Sequence, residues 1–462
     1  MKSYSAIAAL AAVGSVFAVP SPVEDLAPRA AASLTPITTK GNAFFSGTNR
    51  FYIRGVDYQP GGSSKLVDPI ADETTCTRDI TYFKQLGINA IRVYTVDNSA
   101  NHDACMNALA AAGIYLILDV NTPLYSLNRA TPAPSYNALY LQNIFATIDA
   151  FAGYSNTLAF FSGNEVINDD TTTSAAPYVK AVTRDMRQYI KSQNYRTIPV
   201  GYSAADVDSN RIQMAQFMNC GSDDERSDFF AFNDYSWCDP SSFTQSGWDQ
   251  KVKNFTDYGI PIFLSEYGCI TNGRQFEEVS ALYNTEMTIC YSGGMVYEYS
   301  QEGNGYGLVT IDGSTVTTDK DFTALKTAFS KTPNPTGDGN YNPTAHSSTC
   351  PPASSTWNVT SDNLPALPSA AAALMKNGAG KGVGLSGPGS QSAGADASLS
   401  GSVSSASSSS SSSGTSSGSS SSSSSTGTGT PNAGSSVQPI GNAPFVLGFV
   451  VVACTFLGTA ML

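Results

Sequence analysis

The sequence predicts a closed (β/α)8 barrel, and two observations carry that reading. Eight short apolar runs recur between residues 51 and 300, and helix-length segments separate most of them. Near-continuous apolar strands are covered on both faces, and eight parallel strands alternating with helices close into a cylinder. A doubly wound open sheet is the alternative. It calls for a glycine-rich turn after the first strand, and "DYQPGG" does not supply one.

The runs are rich in Ile, Val, Phe and Tyr, as strands are. In order they are FYIRGVDY (51–58), AIRVYTV (90–96), IYLILDV (114–120) and TLAFFSGNE (157–165), then TIPVGYSA (197–204), FFAFNDYSW (229–237), PIFLSEYG (261–268) and GGMVYEYS (293–300). Between them lie segments such as AAPYVKAVTRDMRQYIKSQ and RQFEEVSALYNTEMTICYS, each read as a helix. The catalytic-sized unit therefore spans residues 31–330, followed by an extension, 331–367, that carries Cys350.

Composition changes after Pro368. Residues 368–431 are mostly Ala, Gly and Ser, with too little apolar surface to offset chain entropy, and are read as a disordered, O-glycosylated linker. Within it, GAGKGVG (378–384) imitates a phosphate loop but lacks the full spacing and a preceding strand, so it too is read as linker.

The two ends read as targeting segments. Residues 1–18 place Lys2 before an apolar run and small residues, the pattern of a signal peptide. Residues 432–462 begin with Asn432, Ala433 and Gly434, continue through a polar spacer, and finish in FVLGFVVVACTFLGTAML with no basic flank. That layout predicts a glycolipid (GPI) anchor attached at Asn432, with a retained membrane helix as the alternative. The expected location is extracellular, on the outer leaflet of the plasma membrane or in a cell wall.

A net charge of −12 excludes clustered phosphate neutralisation, so no nucleic-acid partner is expected. His102 and His346 are the only histidines, which argues against a Ser-His-Asp triad or a His-ligated metal; no cofactor and no metal are called for. Seven cysteines remain once Cys454 leaves with the tail, so one thiol stays free in an oxidising compartment. Cys238 and Cys269 follow neighbouring strands on one rim, within reach of a bridge. Cys290 shares a helical face with Phe276, Val279 and Tyr283 and reads as a buried thiol. Asn254-Phe-Thr and Asn358-Val-Thr are glycosylation acceptors, whereas proline excludes the triplets at Asn334 and Asn342.

Barrel chemistry sits at the carboxyl ends of the strands. Asp57, Asp97, Asp119, Glu165, Asp234, Glu266 and Glu298 all lie near such ends. Alternation puts Glu165 in a row with Ala159, Phe161 and Gly163, and Glu266 in a row with Ile262 and Leu264. If both rows face the axis, two carboxyls converge at the mouth, and a pair about 5 to 5.5 Å apart is the machinery of retaining glycoside chemistry. Ionised Glu266 then favours the proton on Glu165, held in a poorly solvated setting by its buried strand. Glu298, of opposite parity to Tyr297 and Tyr299, is the rival carboxylate.

"FFSGNEVIND", "PIFLSEYGC", "IRGVDYQPGG", "IRVYTVD", "GGMVYEYS" and "NGYGLV" together resemble fungal β-1,3-glucanosyltransferases of glycoside hydrolase family 72, in order and over nearly all of residues 51–350. The resemblance implies Glu165 as acid/base and Glu266 as nucleophile. It implies sugar contacts from Gln59, Tyr94, Asp119, Asn164, Tyr235, Tyr297 and Tyr306, with Asn164 on the 2-hydroxyl. It also implies the pairings Cys76–Cys105, Cys220–Cys350 and Cys238–Cys269, and leaves Cys290 unexplained. The implied partners are donor and acceptor chains of β-1,3-glucan, served by a monomer. Transfer rather than hydrolysis follows from the resemblance alone, because both use the same covalent route. A retaining endo-glucanase or mannanase on this barrel, and a non-catalytic wall protein, stay open as alternatives.

Overall fold

A computed structural model describes residues 33–395 and 397. The signal segment 1–18, the serine-rich run from 398 to 431 and the anchor signal with Asn432 lie outside the described residues.

The eight apolar runs form eight parallel strands of a closed barrel. They are Ile53–Asp57, Ala90–Val93, Tyr115–Asp119, Thr157–Asn164, Val200–Ala204, Phe229–Asp234, Ile262–Tyr267 and Tyr291–Val296, here called the first to eighth strands. The eighth pairs with the first through Gly293 to Val296, which closes the cylinder. Ile53, Ala90, Ile117, Ala159, Phe161, Phe229, Ala231, Phe263 and Met295 fill the interior as one apolar cluster.

The sequence reading did not anticipate a three-stranded antiparallel sheet, Ile37–Lys40, Ala43–Ser46 and Asn49–Phe51, ahead of the first strand. It plugs the amino-terminal end of the barrel: Phe44 sets its ring 5.8 Å from Phe229 and 5.9 Å from Phe263. With that end shut, the chemistry is confined to the other rim.

The outer helices bury one face each. In Ala176–Ser192 the buried row Val179, Val182, Met186, Tyr189 and Ile190 follows the helical repeat. The segment read as one helix over RQFEEVSALYNTEMTICYS is instead two short helices, Glu278–Leu282 and Thr285–Thr288. Asn284 divides them because its side chain caps the second, accepting from the Glu286 and Met287 N–H groups. Cys290 is therefore not on a shared helical face, although it is buried and has no disulfide partner among the described residues.

The three disulfides form as the resemblance implied, with Cα separations of 5.7 Å for Cys76–Cys105, 5.1 Å for Cys220–Cys350 and 5.0 Å for Cys238–Cys269. Cys350 fastens the extension, and Trp357, fully buried, packs on Phe217 with rings 5.6 Å apart.

The linker boundary at 368 needs correction. Residues 369–391 pack on the barrel: a short helix, Ala372–Asn377, is followed by an extended strap. Gln193 Nε2 donates to the Met375 carbonyl (2.9 Å), the Ala379 N–H donates to Tyr189 Oη (2.8 Å), and the Gly384 N–H donates to Asn98 Oδ1 (2.9 Å). A composition argument counts apolar side chains. This segment buries only a few, Ala371, Leu374 and Ala379, and adds backbone hydrogen bonds that composition does not register.

Candidate active site

The fourth and seventh strands run parallel, so Glu165 and Glu266 emerge on the same rim. Ala159 and Phe161 face the interior, but the row does not run unbroken to Glu165: Phe161 pairs with Gly201 and Asn164 with Ser203, so the fourth strand takes in an extra residue before the glutamate. The row also fails for Glu266: Phe263 points inward, while Ile262 and Leu264 pack with the outer helices. The register again gives the reason. Leu264 pairs with Phe232 but Glu266 pairs with Asn233, so an extra residue, Ser265, is accommodated in the seventh strand. Such a bulge re-aims the side chain beyond it, and it brings Glu266 to the mouth.

Glu266 is 7 % exposed. Its Oε1 accepts from Tyr94 Oη (2.8 Å) and Arg92 Nη1 (3.2 Å), and its Oε2 accepts from Tyr235 Oη (2.8 Å). Burial pushes its carboxyl up to about 7; Arg92 and the two phenols pull the other way, and Glu165 pushes it further up. Arg92 is fully buried and also grips Asp119, with Nε donating to Oδ2 at 2.8 Å and Nη2 to Oδ1 at 3.2 Å. Its guanidinium lies 4.2 Å from the Tyr94 ring centroid and 4.7 Å from that of Phe161. Asp57, 3.9 Å from Arg92 Nη1, has no hydrogen-bond partner for either oxygen among the described residues, and burial pushes its carboxyl well above the usual range.

Glu165 is half-buried, so the poorly solvated setting expected for it belongs instead to Glu266. Its Oε1 accepts from Asn233 Nδ2 (2.7 Å), and Ser265 Oγ donates to Asn233 Oδ1 (2.8 Å), linking the two glutamates' strands through the sixth. Its backbone lies in the left-handed region, φ 48°, which costs a non-glycine residue about 1–3 kcal/mol. Three contacts hold it there. The Glu165 N–H donates to the Ser203 carbonyl, Arg129 Nη2 donates to the Glu165 carbonyl, both at 2.9 Å, and Tyr202 Oη accepts from the Ile167 N–H at 3.0 Å.

The other expected residues divide. Asn164 has its amide oxygen fixed by Ser203 Oγ (2.8 Å), which leaves its N–H groups for the cleft. Tyr235, Tyr297 and Tyr306 form a cluster with ring centroids 5.4 to 6.5 Å apart at one end of the mouth. Asp119 lines the cleft but spends both oxygens on Arg92. Gln59 is 1 % exposed and serves as a strut: its Oε1 accepts from the Tyr94 and Thr95 N–H groups, and its Nε2 donates to the Val67 carbonyl. Glu298 is 1 % exposed and accepts from Asn304 Nδ2. Asn254 and Asn358 are exposed.

Sequence reasoning missed Arg92, Asn233 and Ser265. A signal existed for Arg92, a lone cation inside the apolar run AIRVYTV, since a buried arginine needs a carboxylate partner. The same run of logic flags Asn233 in FFAFND.

Comparison with known proteins agrees with this geometry. A family described as glucanosyltransferase, glycoside hydrolase family 72, matches residues 26–333. The chain is 69 % identical over 380 residues to the 1,3-beta-glucanosyltransferase gel1 of Aspergillus fumigatus, covering 82 % of this chain and 83 % of that one. It is 54 % identical over 377 residues to the 1,3-beta-glucanosyltransferase GAS5 of Saccharomyces cerevisiae, covering 80 % and 78 %. Among solved structures it resembles a glutamate-to-glutamine mutant of Saccharomyces cerevisiae Gas2p in complex with laminaritetraose and laminaripentaose. There the TM-score is 0.68 at 38 % identity, covering 72 % of this chain and 75 % of that one.

Proposed function

The chain belongs to the glucanosyltransferases of glycoside hydrolase family 72, and from that premise we propose that it cleaves a β-1,3-glucan internally and passes the new reducing end to the non-reducing end of a second glucan. The observation that carries the residue assignment is the unequal treatment of two carboxyls on one rim: three donors converge on Glu266 and one on Glu165. Adjacent carboxyls disfavour a double negative charge. On this reading Glu266 is the attacking carboxylate, its charged form stabilised by Arg92, Tyr94 and Tyr235 against the burial that disfavours it, and Glu165 is the proton donor.

In the first step a Glu266 oxygen attacks the anomeric carbon, the glycosidic C–O bond breaks, and Glu165 gives its proton to the departing oxygen. The sugar is then an ester of Glu266, whose negative charge has gone. In the second step Glu165, now a carboxylate, takes the proton of an acceptor hydroxyl as that oxygen attacks the same carbon and releases Glu266. Asn164 presents N–H donors beside the reacting sugar, and the Tyr235, Tyr297 and Tyr306 rings offer a platform for an acceptor sugar in place of water.

The enzyme acts as a monomer outside the cell, held by a glycolipid at Asn432 and glycosylated at Asn254 and Asn358. The end segments, the three disulfides and the exposure of both asparagines support that setting. Incubation with a reduced β-1,3-glucan oligosaccharide tests the reaction. Products longer than the donor are expected, and shortened products alone make the enzyme a hydrolase.

A further inference from the structure

The strap that follows helix Ala372–Asn377 is built to reach one place. Its path requires glycine: a Cβ on Gly382 would stand 2.4 Å from the Asn98 carbonyl oxygen, and one on Gly389, at φ +76°, 2.8 Å from that of Leu124. Beyond it Ser390 is fully buried; its N–H donates to the Leu124 carbonyl (2.9 Å) and its own carbonyl accepts from Asn137 Nδ2 (3.0 Å). The backbone of Gln391 is thereby fixed at the cleft.

Gln391 lines a hollow of about 410 Å³ together with Asn121, Asn128, Arg129 and Asn164. Its Nε2 donates to Ser126 Oγ, and among the described residues no protein donor reaches its Oε1. Four of these side chains are neutral amides. Asn121 is engaged at both ends, by Tyr140 Oη and the Ser162 carbonyl, whereas Asn128 and Asn164 commit their oxygens, to the Ala130 and Thr131 N–H groups and to Ser203 Oγ. The N–H donors of Asn128 and Asn164 and the acceptor of Gln391 make a mixed set that matches sugar hydroxyls, which both donate and accept, better than it matches an ion or an apolar group. The hollow is also lined by Tyr94 and Asp119, and hence reaches the nucleophile's surroundings.

We propose that Gln391, carried by the strap, is a sugar-binding residue that completes a subsite for a glucose unit of the β-1,3-glucan outside the two units joined by the scissile bond. The inference rests on the transglycosylase reading. A segment whose composition suggests a spacer thus supplies part of the substrate cleft, and its glycines are the means of threading it there.

The test uses the full chain and a ladder of reduced β-1,3-linked oligosaccharides. Gln391→Ala is expected to raise KM about three- to tenfold for donors long enough to reach the subsite, much less for shorter ones, and to shift the cleavage position along the longer donors. Gly389→Val, which unseats the strap without touching the amide, is expected to give the same length dependence. Unchanged KM and product lengths in Gln391→Ala overturn the subsite. So does a loss equal at every donor length that follows a fall in Tm, which marks a structural role. A wild-type chain that shortens these donors without lengthening any overturns the transfer reading but leaves the subsite to be judged on the same length dependence; one that leaves them untouched overturns both.

Discussion

Glu266 and Glu165 are the same residue type on the same rim, yet their surroundings differ in almost every respect. Glu266 follows a bulge, is nearly enclosed, and sits under an arginine and two phenols. Glu165 also follows an irregularity in its strand, but it is half-open to the cleft, leans on one asparagine, and stands on a left-handed backbone. Under the proposed roles the nucleophile must be an anion held still, and the donors around Glu266 serve that. An acid that later turns base must exchange its proton with two different oxygens, so a single neutral contact on an open side suits it.

The largest test of that contrast removes each carboxylate in turn. Glu266→Gln is expected to lower transfer by about ten-thousandfold or more, with no recovery on donors bearing a good leaving group. Glu165→Gln is expected to cost about a hundred- to ten-thousandfold on glucan, and to recover its first step on such donors, because only leaving-group protonation has been lost. Burst kinetics with an activated aryl donor separate the two; equal recovery in both variants breaks the comparison. Next comes Arg92→Gln, which leaves Asp119 buried without its cation. It is expected to cost about 3–5 kcal/mol in urea unfolding, and about a hundredfold in kcat/KM in the fraction that folds. The smallest effect sharpens the comparison. Tyr235→Phe deletes one donor to the Glu266 anion, which favours the protonated form, so the acidic limb of the kcat/KM profile moves to higher pH with about a tenfold loss at the optimum. A limb that moves to lower pH, or stays fixed, removes Glu266 as the group titrating there.

The barrel was readable because buried parallel strands leave long apolar runs, and the two glutamates stood out from the seven acids at strand ends only through the family resemblance. What was not readable depended on more than one strand at a time. The inward aim of Glu266 comes from register against Asn233, and alternation along the seventh strand alone points it the wrong way. Gln59 looked like a sugar contact, but its amide is consumed by the Tyr94 and Thr95 backbone, a pairing visible only once the first and second strands lie side by side. The amino-terminal sheet and the strap are short or glycine-rich, and both are held by partners far away in sequence.

The strap also places the last described part of the chain. Gln391 lies at the cleft, so that part ends its course on the rim that carries the two glutamates and not at the plugged pole. A proteolytic cut between the extension and Gln391 would therefore loosen one wall of the cleft while leaving the cylinder of strands closed.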